Sequence, residues 1–141
     1  MKFVADDGKV FETIEDCEEY EYKVSLTSYA KYWHDNILML DIFGKVVKFD
    51  VNTEDINFFD RLVSTISYTD VVFLIVPKEC TDNKMWLEIV NIFKYKYESI
   101  LPETGGVYRW QWPEDRWVSY EEDCRLLQER WKDVKNYIEH P

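Results

Sequence analysis

Apolar and polar positions alternate along the chain in a way that divides it into ten elements. KFVA and KVFE are short apolar stretches on either side of Asp6-Asp7-Gly8. Asp-Gly in that setting is a hairpin signal, because glycine accepts the positive φ a tight turn requires. The chain is therefore expected to open with two antiparallel strands. Thr13 then precedes IEDCEEYEYKV, in which Ile14, Cys17, Tyr20 and Val24 recur at steps of three and four. That is the period of an amphipathic helix, with Thr13 as its cap. Near Leu26 the apolar phase shifts among Ser and Thr residues, so the pattern leaves open whether the helix continues through SLTSYAKYWHDN.

ILMLDIFGKVVKFD has two arms rich in branched and aromatic residues around Gly44, which predicts a second hairpin. Thr53 is placed to open a second helix with Ile56, Phe59, Leu62, Val63 and Ile66 on one face. VVFLIV, apolar on both sides, reads as a central strand. Thr81 or Asp82 is expected to cap a third helix that turns Met85, Trp86, Ile89, Val90, Phe93 and Tyr97 inward and stops before Pro102. VYRWQW follows as a strand. Ser119 and Glu122 have capping-box spacing, and after Ser119 an apolar stripe of Tyr120, Cys124, Leu127, Trp131, Val134 and Ile138 advances by alternating steps of four and three. Strands and helices in this order point to an α+β fold: a single domain over residues 1–141, its mixed or mostly antiparallel sheet of about five to six strands covered by three to four helices.

Composition supports one packed core. The chain has 141 residues, 46% of them hydrophobic and 17% aromatic, so large flat side chains supply much of the burial. Its longest apolar run is VVFLIV, far short of the roughly 20 residues of a membrane span. Acids stand at the start where a secretory signal would place its apolar stretch, so a cytoplasmic protein is expected. Cys17, Cys80 and Cys124 are odd in number and far apart, which fits reduced thiols.

Charge changes the picture more. The formal net charge is −11, and it is concentrated: residues 1 to 22 hold eight acids and two bases, and residues 98 to 124 hold seven acids and two bases. Direct binding to nucleic acid is disfavoured, since that draws on clustered Lys and Arg. Glu15, Asp16, Glu18 and Glu19 fall within two turns of the first helix and form a row of carboxylates suited to a basic protein surface.

Candidate chemistry is sparse. LPETGG at residues 101 to 106 resembles the motif sortases cleave, but a charged amphipathic helix follows it where an apolar anchor is required, so it reads as a helix stop and a turn. His34 is the one histidine away from the terminal His140, and no nucleophile, metal or phosphate-loop motif accompanies it. No catalytic residue, metal ligand or cofactor is assigned. Carboxylates such as Asp6-Asp7, Asp41 and Asp50 define one alternative, a metal-dependent enzyme. YRWQWPEDRW defines another. In an alternating strand Tyr108, Trp110 and Trp112 point one way, Arg109 and Gln111 the other. Arg109, Arg116 and Trp117 are expected to be exposed and to contribute to partner binding. In the alternative reading, a binder that sequesters a nucleotide signal, Arg109, Arg116 or Arg125 holds phosphates and Trp110, Trp112 or Trp117 stacks on a base.

Phe3, Asp7-Gly8, Phe11, Thr13, Cys17 and Tyr20-Glu21, within residues 3 to 21, resemble the opening of small acidic accessory proteins encoded by phages of Gram-positive bacteria. The resemblance implies an accessory gene product of the class that includes inhibitors of host defence, anti-CRISPR proteins among them. The expectation is thus a non-enzymatic inhibitor that binds a host protein through its acidic surfaces. The oligomeric state stays open.

Overall fold

The computed structural model describes residues 1–49, 57–68, 71–111 and 114–139. The fold is α+β, and every strand pairing in it is antiparallel. Packing resolves the chain into two compact units, Met1–Asn36 with Lys48–Thr69 and Ile37–Val47 with Asp70–Pro141.

In the first unit β1 (Phe3–Val4) and β2 (Val10–Phe11) form the expected hairpin. Gly8 sits at φ 91°, and Gly8 N–H donates to Ala5 C=O at 2.9 Å, so the Asp-Gly turn closes as the sequence predicts. Helix α1 runs Ile14–Asn36, capped by Thr13 Oγ1, which accepts from Asp16 N–H at 3.1 Å. It continues through the segment where the apolar phase shifts. Thr27 and Ser28 hydroxyls donate back to Lys23 C=O and Val24 C=O, so the Ser and Thr side chains of the segment whose continuation the sequence left open bond within the helix. Beyond the shift the buried residues are Leu26, Ala30 and Trp33, a stripe that continues Cys17's burial on a rotated face. Helix α2 (Phe58–Tyr68) buries Phe58, Phe59 and Leu62. Tyr29 of α1 meets Phe59 with ring centroids 5.9 Å apart, and Phe49 meets Phe58 at 5.8 Å. The expected start of this helix at Thr53, with Ile56, lies outside the described residues, as does Asp50.

The second unit is built on a four-stranded sheet in the order β3-β4-β5-β6, with β3 Leu38–Leu40, β4 Phe73–Val76, β5 Gly106–Gln111 and β6 Arg116–Ser119. β4 is interior, as its two-sided apolar run predicts, and Leu74 and Val76 are almost wholly buried. The hairpin expected at Gly44 turns there, and among the described residues its second arm makes one bridge, Leu40 with Val46. β4 takes the other edge of β3, and among the described residues no strand pairs with the outer side of this arm, where Val46 is exposed. β6 was not anticipated. Its four residues end on Ser119, which is also the cap of the next helix, and so short a run carries no strand period of its own.

Helix α3 (Lys84–Tyr97) buries Trp86, Ile89, Val90 and Phe93. Its cap is Asn83, whose Oδ1 accepts from Trp86 N–H at 3.2 Å, in place of Thr81 or Asp82. A 3-10 turn at Lys78–Cys80 takes Thr81 N–H onto Lys78 C=O, and Asp82 adopts a left-handed φ of 60°, which moves the helix start onward. Helix α4 (Tyr120–Glu139) begins as predicted, with Ser119 Oγ accepting from Glu122 N–H at 3.2 Å, and lies against β5 and β6. Among the described residues no helix is long and apolar enough to cross a membrane.

Candidate functional site

Two surfaces were singled out by the sequence, one in each unit. In the first unit, Glu15, Asp16, Glu18 and Glu19 are all exposed on the opening turns of α1. Glu19 pairs with Lys23 at 3.2 Å, and among the described residues no cation pairs with Glu15, Asp16 or Glu18. Opposite charge placed four residues on is a weak, solvent-screened restraint.

The N-terminal hairpin extends this acidic surface in a way sequence spacing could not reveal. Glu21 Oε1 accepts from Asp6 N–H at 3.0 Å, and Tyr20 donates its hydroxyl to Asp7, so the turn is fastened across two residues of α1. Asp7 Oδ1 also accepts from Lys9 N–H at 3.0 Å. Lys9 Nζ lies over the Tyr20 ring at 4.6 Å from its centroid, and Phe11 packs on the same ring at 5.1 Å. The Tyr20 hydrogen bond holds the Asp7 carboxyl below its usual range and raises the Tyr20 phenol. Between turn and helix lies a cleft of about 130 Å³ lined by Ala5, Asp6, Asp7, Tyr20, Glu21, Val24 and Ser25. Three of these seven are carboxylates, two of which, Asp7 and Glu21, already accept the hydrogen bonds that fasten the turn. Cys17 lies beneath the same surface, buried, its thiol pushed up by burial and by Glu21, Glu18, Asp6 and Asp7. A thiol so placed is a poor nucleophile.

In the second unit, the Trp-rich strand alternates as expected: Tyr108 is level with Ser119 and Trp110 with Trp117, while Arg109 is level with Val118 and Gln111 with Arg116. Trp110 and Trp117 form a cross-strand edge-to-face pair with centroids 5.2 Å apart. Trp112 lies outside the described residues. The expectation that Arg109 and Trp117 are exposed is corrected. Arg109 is two-thirds covered because α4 lies over its face of the sheet, where it forms a forked pair with Asp123, Nη2–Oδ1 2.6 Å and Nε–Oδ2 3.0 Å. Trp117 is half-buried against Trp110. Arg116 is exposed, and it pairs with Glu122 at 3.0 Å. Arg125 pairs with Glu129 at 2.9 Å. Each bond raises its guanidinium's affinity for the proton where a shift is resolved, at Arg109 and Arg116, and lowers the carboxyls of Asp123 and Glu122. All three arginines proposed for phosphate binding thus already hold a carboxylate. Gln111 Oε1 and Trp117 Nε1 are buried without a hydrogen-bond partner among the described residues.

The remaining candidates serve local structure. Asp41 Oδ1 accepts from Phe43 N–H and Lys45 N–H, closing the Gly44 turn. His34 Nδ1 lies 3.1 Å from Asp35 on the surface of α1. Among the described residues no three His, Cys, Asp or Glu side chains are grouped to hold a metal ion. LPETGG is tied to the core: Leu101 is 1% exposed, Pro102 C=O accepts from Trp86 Nε1 at 3.0 Å, and Gly105 N–H donates to Thr81 Oγ1 at 2.7 Å.

No family model, curated protein or solved structure matches the chain.

Proposed function

We propose that the protein works by binding rather than by catalysis, docking the acidic surface of its first unit onto a basic surface of a protein partner and inhibiting it. The observation that carries this reading is the carboxylate-lined cleft beside Glu15, Asp16 and Glu18, with which no cation pairs among the described residues. Asp6, Asp7 and Glu21 line this cleft, while Glu15, Asp16 and Glu18 stand exposed on the same helix as Glu21. Complementary charge of this kind speeds encounter and selects partners more than it adds raw affinity. The likeness of residues 3 to 21 to phage accessory proteins favours a host defence component, in the host cytoplasm, as that partner.

The nucleotide-sequestering alternative is less well supported, because a phosphate would first have to displace Asp123 from Arg109 or Glu122 from Arg116, although Arg125 is held only by the weak exposed pair with Glu129. The test is capture of a partner from host lysate by the wild-type chain, compared with a Glu15→Lys, Glu18→Lys, Glu19→Lys triple variant of unchanged melting temperature. The triple variant is expected to bind the captured protein at least roughly tenfold more weakly. Equal affinity of the two chains overturns the reading.

A further inference from the structure

The apolar stripe of α4 is left uncovered by the fold. Leu127, Trp131, Val134 and Tyr137 are 51%, 66%, 51% and 78% exposed, and every residue from 127 to 137 is exposed, because only the first half of the helix lies on the sheet. Trp131 and Val134, with Gln128, Lys132 and Lys135, line an open groove of about 460 Å³. Exposed apolar side chains gathered on one helix face, rather than scattered singly, suit an interaction surface.

The spacing and the charges say what covers it. Tyr120, Cys124, Leu127, Trp131 and Val134 advance by steps of four, three, four and three. This is the heptad period of 3.5 residues, which keeps a seam facing a second helix. One flank of the seam carries Glu121, Gln128 and Lys135, seven residues apart, so its charge reverses from end to end. The other flank carries Asp123, Arg130 and Tyr137. In an antiparallel pair of identical helices each flank faces its own copy.

We propose that α4 pairs antiparallel with α4 of a second copy of this chain, Leu127 packing on the copy's Trp131 and Cys124 on its Val134. In that register Glu121 meets Lys135 of the copy twice, and Gln128 meets its own counterpart on the twofold axis. One contact opposes, Arg130 beside its counterpart near the axis. Parallel pairing has no such compensation: it sets Arg130 against Lys135 twice and gives Glu121 no cation.

Sedimentation equilibrium of the full chain tests this. The wild type is expected to dimerise, and Trp131→Glu, at a site already two-thirds exposed, to give a folded monomer with an unchanged helical circular-dichroism spectrum. Glu121→Lys or Lys135→Glu alone should weaken the dimer roughly tenfold, and the double exchange should restore it to within about twofold. Arg130→Gln should tighten it. Under mild oxidation Cys124 should not link the two copies, since the two Cys124 residues are about 15 Å apart along the antiparallel pair, ten residues at 1.5 Å each. A wild-type chain that stays monomeric at the highest soluble concentration overturns the proposal and assigns the stripe to a different protein. A double exchange no better than its single variants, or a Cys124-linked dimer, overturns the antiparallel pairing.

Discussion

At the scale of single residues, Asp7 and Tyr20 connect the N-terminal turn to α1, and their shifts set how that connection responds to pH. Asp7 keeps its charge to lower pH in the folded chain than in the unfolded one. Its contribution is therefore complete above the ordinary carboxylate range and fades as pH falls through the folded value. Tyr20 keeps its proton to higher pH when folded, so its contribution is complete below the ordinary phenol range and is lost as pH rises through the folded value. Tyr20→Phe should remove the phenol's dependence and weaken that of Asp7, which the Lys9 N–H also lowers, read as faster amide exchange at Gly8 and Lys9, with the α3 amides unaffected. Arg109 and Asp123 give a second test. Their forked geometry and partial cover favour a measurable coupling, reduced by the third of each side chain still in water. A double-mutant cycle with Arg109→Met and Asp123→Asn should return about 1 kcal/mol, and the coupling should decline as pH falls below the usual carboxylate range, because Asp123 is the depressed partner.

Among elements, the segment 101–106 shows how a loop of turn residues becomes part of the core. Gly105 is required by space rather than by φ: a Cβ there would stand 2.5 Å from Lys78 Cα and 2.5 Å from Pro77 O. Both are backbone atoms of the turn before α3, so neither gives way cheaply. Gly105→Ala should cost about 2 kcal/mol in a denaturant titration, whereas Gly106→Ala, whose nearest neighbours are atoms of the Tyr108 ring at 3.3 Å, should cost less. The same anchoring decides the fate of LPETGG. With Leu101 buried and Pro102 C=O bonded to Trp86, a sortase should leave the folded chain intact and cut it only after unfolding. Cleavage of the native protein at a rate equal to that of a free peptide would contradict this anchoring.

For the whole molecule, the charge of −11 is organised rather than spread. In the first unit the eight carboxylates of residues 1 to 22 lie on one hairpin and the opening of one helix. In the second, Asp123 and Glu122 are consumed by Arg109 and Arg116, leaving Glu121 at the end of the exposed seam. Acids close in sequence thus face different tasks. Binding that depends on the first group should weaken steeply between low and physiological salt, as solvent-exposed charge pairs are screened over about 8–10 Å. The proposed pairing of α4 rests mainly on apolar contact and should change far less over the same range. Measuring both equilibria against salt in one buffer series separates the two surfaces.

The sequence by itself determined whatever depends on neighbours a few residues apart. The Asp-Gly turn, the Thr13 and Ser119 caps, the interior character of VVFLIV and the periods of α3 and α4 are all local, and the α+β class follows from their order. Only the tertiary structure decided which of several equally apolar or charged groups meet. That α1 continues past Leu26 depends on the burial of Leu26, Ala30 and Trp33, while the single bridge of the arm after Gly44 and the existence of β6 depend on which strand occupies which edge. The same holds for the candidate sites. Glu15, Asp16, Glu18 and Glu19 were legible as a helix row, but the cleft beside them needs Asp6 and Glu21, fifteen residues apart, to meet. Arg109 reads as a free hot spot until Asp123, fourteen residues on, takes it. Pairing across such separations is set by packing of whole elements, and no local period encodes it.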